Sequence, residues 1–153
     1  MIHNIDLSVY LSGEIHTDWR ARIGEACSAV DLEIRFLSPV TDHACSDGCG
    51  VSILGAEVKK FWEDQKGAGI NAIRSQIMIE QADVVIVRFG DKYRQWNAAF
   101  DAGYAHALGT PIISLHDPEL NHPLKEVDGA ALAVAETPEQ IAAILQYVLE
   151  GKL

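Results

Sequence analysis

Positive charge is scarce in this chain. Twelve Lys and Arg residues stand against 22 Asp and Glu, giving a net charge of -10 and a pI near 4.9. That balance argues against binding a nucleic-acid polymer, which needs basic side chains to neutralise phosphates. A single nucleoside or nucleotide, held by backbone N–H groups and one or two arginines, stays open. Cysteine is sparse too: Cys27, Cys45 and Cys49, an odd set that reads as reduced thiols in the cytoplasm. No apolar run approaches the ~20 residues of a transmembrane helix, and the opening MIHNIDLSVYLSGE lacks the basic region of a secretion leader. There is no repeat, no low-complexity tract and no linker rich in Pro, Gly or Ser. The stretch Ser12-Gly13-Glu14 offers no Gly-x-Gly-x-x-Gly fingerprint, and neither a Walker loop nor a Gly-x-Ser-x-Gly elbow occurs. No cofactor is expected.

The 153 residues, 48% of them hydrophobic, fit one domain with a full core, spanning 1–153. Apolar runs alternate with amphipathic stretches, the signature of βαβ units. Strands are predicted at Asp6–Leu11, Leu32–Leu37, Asp83–Phe89, Ile112–His116 and Ala131–Val134. The β-branched run Val84-Val85-Ile86-Val87 marks a central strand buried on both faces. Helices are predicted at Thr17–Val30, Gly55–Gln65, from Gly69 to Gln81 with Ile70, Ile73 and Ile77 inward, and Gln95–Leu108. A last helix begins with Thr137-Pro138 and Gln140, a cap, a first-turn proline and a capping-box partner. Val40–Leu54, rich in Asp, Ser and Gly, reads as a long loop, a lid over a pocket. Right-handed crossovers then favour an α/β fold with an open doubly wound, mostly parallel five-stranded sheet of flavodoxin-like order 2-1-3-4-5. In such sheets ligands lie beyond the carboxyl ends of the strands at the switch point, so Tyr10–His16 and Arg88–Asp101 should meet there.

On the helix Gln95–Leu108, Trp96, Phe100, Gly103, Tyr104 and Ala107 share helical spacing and suit the inward face. Asn97 and Asp101, four apart, stack on a neighbouring face, near the positive end of the helix dipole. A carboxylate at the mouth of a sheet can serve as nucleophile or base; from spacing alone Asp101 equally suits a surface role. Arg88 lies in an apolar strand, so it needs an acid such as Asp83 or Glu14, or it emerges at the strand end. Glu14 with His16 offers a proton shuttle or a plain loop, Trp96 a stacking platform or core. His43, Cys45 and Cys49 suggest zinc, but no second cysteine pair completes four ligands, so no metal site is expected.

The ordered pieces Tyr10-Leu-Ser-Gly13, Ala82-Asp-Val-Val-Ile-Val87, Phe100-Asp-Ala-Gly-Tyr-Ala105 and Leu108-Gly-Thr-Pro-Ile-Ile113 resemble the nucleoside 2-deoxyribosyltransferase family. The stretch Arg94–Asp101, with Val9–Asp18 upstream, is more similar to its YtoQ branch. The resemblance covers roughly residues 5 to 116. It implies a nucleoside substrate and a carboxylate, here Asp101, that attacks the anomeric carbon before a second base or water releases the sugar. It further implies that Tyr10 orients that carboxylate and that Gly13 forms a turn beneath the sugar or phosphate. Ser12, Glu14, His16, Arg88, Trp96 and Asn97 would surround the substrate, and neighbouring subunits of a homo-oligomer would complete each site. Three departures stand out. The nucleophile is normally Glu, one bond of about 1.5 Å longer than Asp, while Gln95 and Ser75 occupy positions where the family often has acids. A binding module without catalysis, or an oligomeric scaffold, are the competing readings.

Overall fold

The structure, a computed structural model, describes residues 5–153. Its strands are β1 (Leu7–Gly13), β2 (Ile34–Leu37), β3 (Val84–Arg88), β4 (Ile112–Leu115) and β5 (Ala133–Ala135). They form one sheet in the order β2-β1-β3-β4-β5, and every pairing is parallel. The helices are α1 (Trp19–Ser28), α2 (His43–Leu54), α3 (Lys60–Gln81), α4 (Trp96–Ala107), α5 (Lys125–Ala130) and α6 (Pro138–Glu150), with a 3-10 turn at Pro118–Leu120. This is the doubly wound order expected from the sequence.

Strand alternation divides the core into two layers. Leu7, Val9 and Leu11 of β1, Val84 and Ile86 of β3, and Ile113 and Leu115 of β4 face α1 and α6, meeting Trp19, Ile23, Ile141 and Leu145. Tyr10, Val85, Val87 and Ile112 face the other way, against Ile79 of α3 and Ala98, Ala102 and Ala105 of α4. The capping box of α6 forms as expected: Thr137 Oγ1 accepts from the Gln140 N–H at 3.2 Å, and the Gln140 side chain accepts from the Thr137 N–H at 3.3 Å. Among the described residues no helix is long and apolar enough to cross a membrane.

Three elements differ from the sequence reading. The expected loop Val40–Leu54 holds helix α2, which the Asp42 carboxylate caps by accepting the Cys45 N–H at 2.7 Å. The two helices expected across Gly55–Gln81 are one, α3, running unbroken through Gly67 and Gly69. The cause is shared: a β-carbon on Gly50 would lie 2.4 Å from the Gly67 nitrogen, so α2 and α3 cross backbone to backbone. Gly50 and Gly67 serve close approach, and packing overrides their poor helix propensity. On α3, Ile73 and Ile77 are exposed while Ile79 is buried.

Helix α4 is turned relative to expectation. Its buried face is Ala98, Asp101, Ala102 and Ala105, whereas Trp96 and Phe100 are each 70% exposed and Gly103 has open space around it. Small alanines let the helix lie close on β1 and β3, and the bulky aromatics are left outside.

Candidate functional site

A cavity of about 640 Å³ opens at the carboxyl ends of β1 and β3, walled by α3 on one side and α4 on the other. Its volume suits a small-molecule ligand. Tyr10, Gly13, Glu14 and His16 reach it from β1 and the following loop; Trp96, Asn97 and Asp101 reach it from α4. The convergence of the two predicted segments is therefore present in the fold.

Asp101 is 9% exposed, and its Oδ2 accepts a hydrogen bond from Ser12 Oγ at 2.6 Å. Burial pushes the Asp101 pKa up; the Ser12 hydroxyl works against that by favouring the carboxylate. Oδ1 has no hydrogen-bond partner among the described residues. The side chain thus combines a buried, basic carboxylate with one oxygen fixed and one uncommitted.

The hydroxyl that holds Asp101 belongs to Ser12, not to Tyr10. Both project from the same face of β1, and Ser12 stands one step nearer the strand end, beside α4. Ser12 is fully buried and spends its hydroxyl on Asp101, so it does not line the cavity as a substrate contact. Tyr10 instead donates to Ser75 Oγ at 3.2 Å. Burial is the main cause that pushes the phenol up to about 12; the Ser75 bond and the Arg20 and Arg74 charges pull it down, and Asp101 adds to the rise. Tyr10 is therefore a neutral phenol at any physiological pH.

Arg88 is a second correction. Two residues beyond Ile86, it falls on the α1–α6 side of β3, away from Asp101, and it does not line the cavity. Neither Asp83 nor Glu14 pairs with it: its Nε and Nη1 are buried with no partner among the described residues. Asp83 is occupied otherwise, accepting the Ser8 N–H at 2.8 Å.

Backbone anchoring makes the site's floor rigid. Gly13 has φ +111°, and a β-carbon there would sit 2.2 Å from the Arg88 carbonyl oxygen, so only glycine lets β1 close on β3 at this level. Arg20 gathers the carbonyls at the end of β1, donating to Leu11 at 2.9 Å, Gly13 at 3.2 Å and Glu14 at 2.6 Å. Burial lowers its pKa to about 10, which still leaves a cation at neutral pH. Glu14 is 4% exposed, and its carboxylate accepts the His16 N–H and the Thr17 hydroxyl. Gln95 ties the β3–α4 loop by accepting the Gly90 N–H at 3.0 Å and donating to the Lys92 carbonyl at 2.9 Å.

At the mouth, the His16 ring stands 5.0 Å from Tyr93 and 5.9 Å from His43. Tyr93 adopts φ +63°, an unfavourable backbone setting for a non-glycine residue. His43 pairs with Asp47 at 3.2 Å, and no group of three His, Cys, Asp or Glu among the described residues is placed to hold a metal ion.

The sequence reading left out the whole α3 wall: Asn71, Arg74, Ser75 and Ile79. Ser75 figured there only as the place of a missing acid. No local pattern marks these residues, because α3 joins the site through tertiary packing. Arg20 and Arg94 carry no individual role in the sequence reading either, although Arg94 opens the stretch Arg94–Asp101.

A family model described as nucleoside 2-deoxyribosyltransferase YtoQ matches residues 10–149. A Bacillus subtilis (strain 168) protein, described as uncharacterized protein YtoQ, is 40% identical over 146 residues, spanning 95% of this chain and 99% of that one. Among solved structures, a conserved protein from Enterococcus faecalis V583 is similar with a TM-score of 0.64 at 14% identity, over 94% of this chain and 99% of that chain. A 2-deoxyribosyltransferase from Bacillus psychrosaccharolyticus is similar with a TM-score of 0.53 at 16% identity, over 88% of this chain and 90% of that chain. Those two likenesses bear on the fold.

Proposed function

Because the chain belongs to the nucleoside 2-deoxyribosyltransferase YtoQ family, we propose that it acts on the N-glycosidic bond of a nucleoside or nucleotide, with Asp101 as the attacking carboxylate. The observation that carries this reading is the state of Asp101: buried beside a ligand-sized cavity, held at Oδ2 by Ser12 and uncommitted at Oδ1. In the first step Oδ1 bonds to the anomeric carbon as the C1′–N bond breaks, and the electron pair leaves with the base, which takes a proton from solvent. In the second step a nitrogen of an acceptor base, or a water oxygen, attacks the same carbon, and the carboxylate departs. Transfer and hydrolysis share the first step and differ only in the second nucleophile.

Burial helps the chemistry, because a carboxylate stripped of water is more basic and more reactive than one in solution. Tyr10 and Ser75 form the neutral wall beside it; Asn97 supplies polar contacts to the sugar, with Glu14 bracing the loop beneath; Trp96 and Tyr93 offer ring faces to a base. The shorter Asp side chain asks the sugar to sit closer to α4 than Glu would.

The 1–153 chain is read as one such domain, acting in the cytoplasm as a homo-oligomer. Trp96 and Phe100 favour assembly: both are largely exposed, apolar and on the cavity rim, where a second copy would cover them. Incubation with 2′-deoxynucleosides and with their 5′-monophosphates, with and without an acceptor base, tests the reaction by release of free base or formation of a new nucleoside or nucleotide. Base release by the intact chain and its loss in Asp101→Ala supports the reading; no release, or release unaffected by the substitution, refutes it. Sedimentation as a monomer would refute the assembly.

A further inference from the structure

Building on the N-glycoside reading, we propose that the substrate carries a phosphomonoester, as in a nucleoside 5′-monophosphate, and that Arg74 and Arg94 hold its dianion at the cavity mouth. Among the described residues, two arginines and no lysine line the cavity. In a chain where acids outnumber bases 22 to 12, an arginine would readily find a carboxylate. Neither of these does: no ion pair among the described residues includes Arg74 or Arg94. Arg74 spends one N–H on the Ser38 carbonyl at 3.3 Å, and Arg94 makes no hydrogen bond among the described residues. Its guanidinium lies 5.6 Å from the centre of the Trp96 ring, a contact that steadies the planar group while its donors stay free.

The charge layout of the cavity points the same way. Both acids of the lining, Glu14 and Asp101, are buried and hydrogen-bonded internally, whereas both arginines are exposed. The interior is thus set for an electron-poor sugar carbon, and the rim for an anion. A neutral nucleoside would leave the two cations unmatched. A phosphate dianion matches them, since guanidinium groups bind phosphate oxygens in paired, parallel hydrogen bonds. Arg74 comes from α3 and Arg94 from the loop before α4, so one phosphate would bridge the two walls.

Calorimetric titration of the intact chain with the common 2′-deoxynucleosides and their 5′-monophosphates tests this. At least one monophosphate is expected to bind roughly tenfold or more tightly than its nucleoside. That ratio should fall toward one in Arg74→Ala/Arg94→Ala and be partly restored in Arg74→Lys/Arg94→Lys, with thermal denaturation confirming that each variant is folded. Equal affinity for nucleoside and monophosphate, or a preference that survives the double alanine variant, overturns the proposal. Asp101-dependent base release without phosphate preference overturns it and leaves the N-glycoside reading standing. Arginine-dependent phosphate preference without base release sinks that reading and leaves the anion site. Absence of binding by every compound overturns both.

Discussion

Replacing Ser12 with Ala removes one hydroxyl and little else. Ser12 is fully buried, and its Oγ donates to Asp101 Oδ2 at 2.6 Å. Burial raises the Asp101 pKa above the ordinary carboxylate value, and the Ser12 bond is the interaction that restrains the rise. Hydrogen bonds to charged groups contribute about 1.5–3 kcal/mol. At about 1.4 kcal/mol per pH unit, their loss should move the acid limb of the proposed reaction's pH–rate profile upward by roughly one to two units. The sign for stability follows from the same direction. A carboxyl whose pKa is raised on folding is easiest to bury protonated, so its ionisation costs folding free energy as pH rises from the ordinary carboxylate range through its folded value. Ser12→Ala deepens that cost. Urea denaturation at about pH 7.5 should therefore show the variant roughly 1.5–3 kcal/mol less stable than the parent, with the gap shrinking toward about pH 4, where the group is increasingly protonated in both states. A gap of equal size at both pH values would refute the argument, since it would mean that Ser12 acts by packing and not through the charge on Asp101.

Other measurements follow from the geometry. Gly13→Ala should cost about 3 kcal/mol or prevent folding, because the new carbon meets the Arg88 carbonyl at 2.2 Å in a backbone setting that disfavours side chains; a thermal midpoint within a degree or two of the parent would contradict this. Asp128→Ala strips the acceptor from the buried His116 Nε2, which lies 2.9 Å from that carboxylate while Nδ1 meets the Asp117 carbonyl, and should destabilise the chain by about 2 kcal/mol in chemical denaturation. Spectrophotometric titration of the four tyrosines should show one ionising last, near 12, and Tyr10→Phe should abolish that step.

The sheet was legible because its signals are local and consistent. Val84–Val87 reads as a strand buried on both faces since no polar residue interrupts it, and the glycines and prolines around it mark the connections. Helix α2 was hidden for the opposite reason. It has no apolar stripe, and what holds it is a capping aspartate and a glycine-to-glycine crossing with α3, neither of which shows as periodicity. In α4 two faces compete: one carries alanines, the other Trp96 and Phe100. A rule that buries the larger residues chooses wrongly when the helix must lie close to the sheet. At the site, resemblance singled out Asp101 and Tyr10, which do share the cavity. Ser12 as the partner of Asp101, and the α3 wall with Arg74 and Ser75, arise only when distant segments pack together.

The reversed dressing of α4 separates two jobs that one helix usually has to share. Folding is served by the thin alanine edge pressed to β1 and β3. The broad aromatic edge, largely exposed on the cavity rim, takes no part in that packing against the sheet. Substitutions at Trp96 or Phe100 should therefore reshape the rim of the cavity without endangering the scaffold, while changes at the alanines would disturb the core.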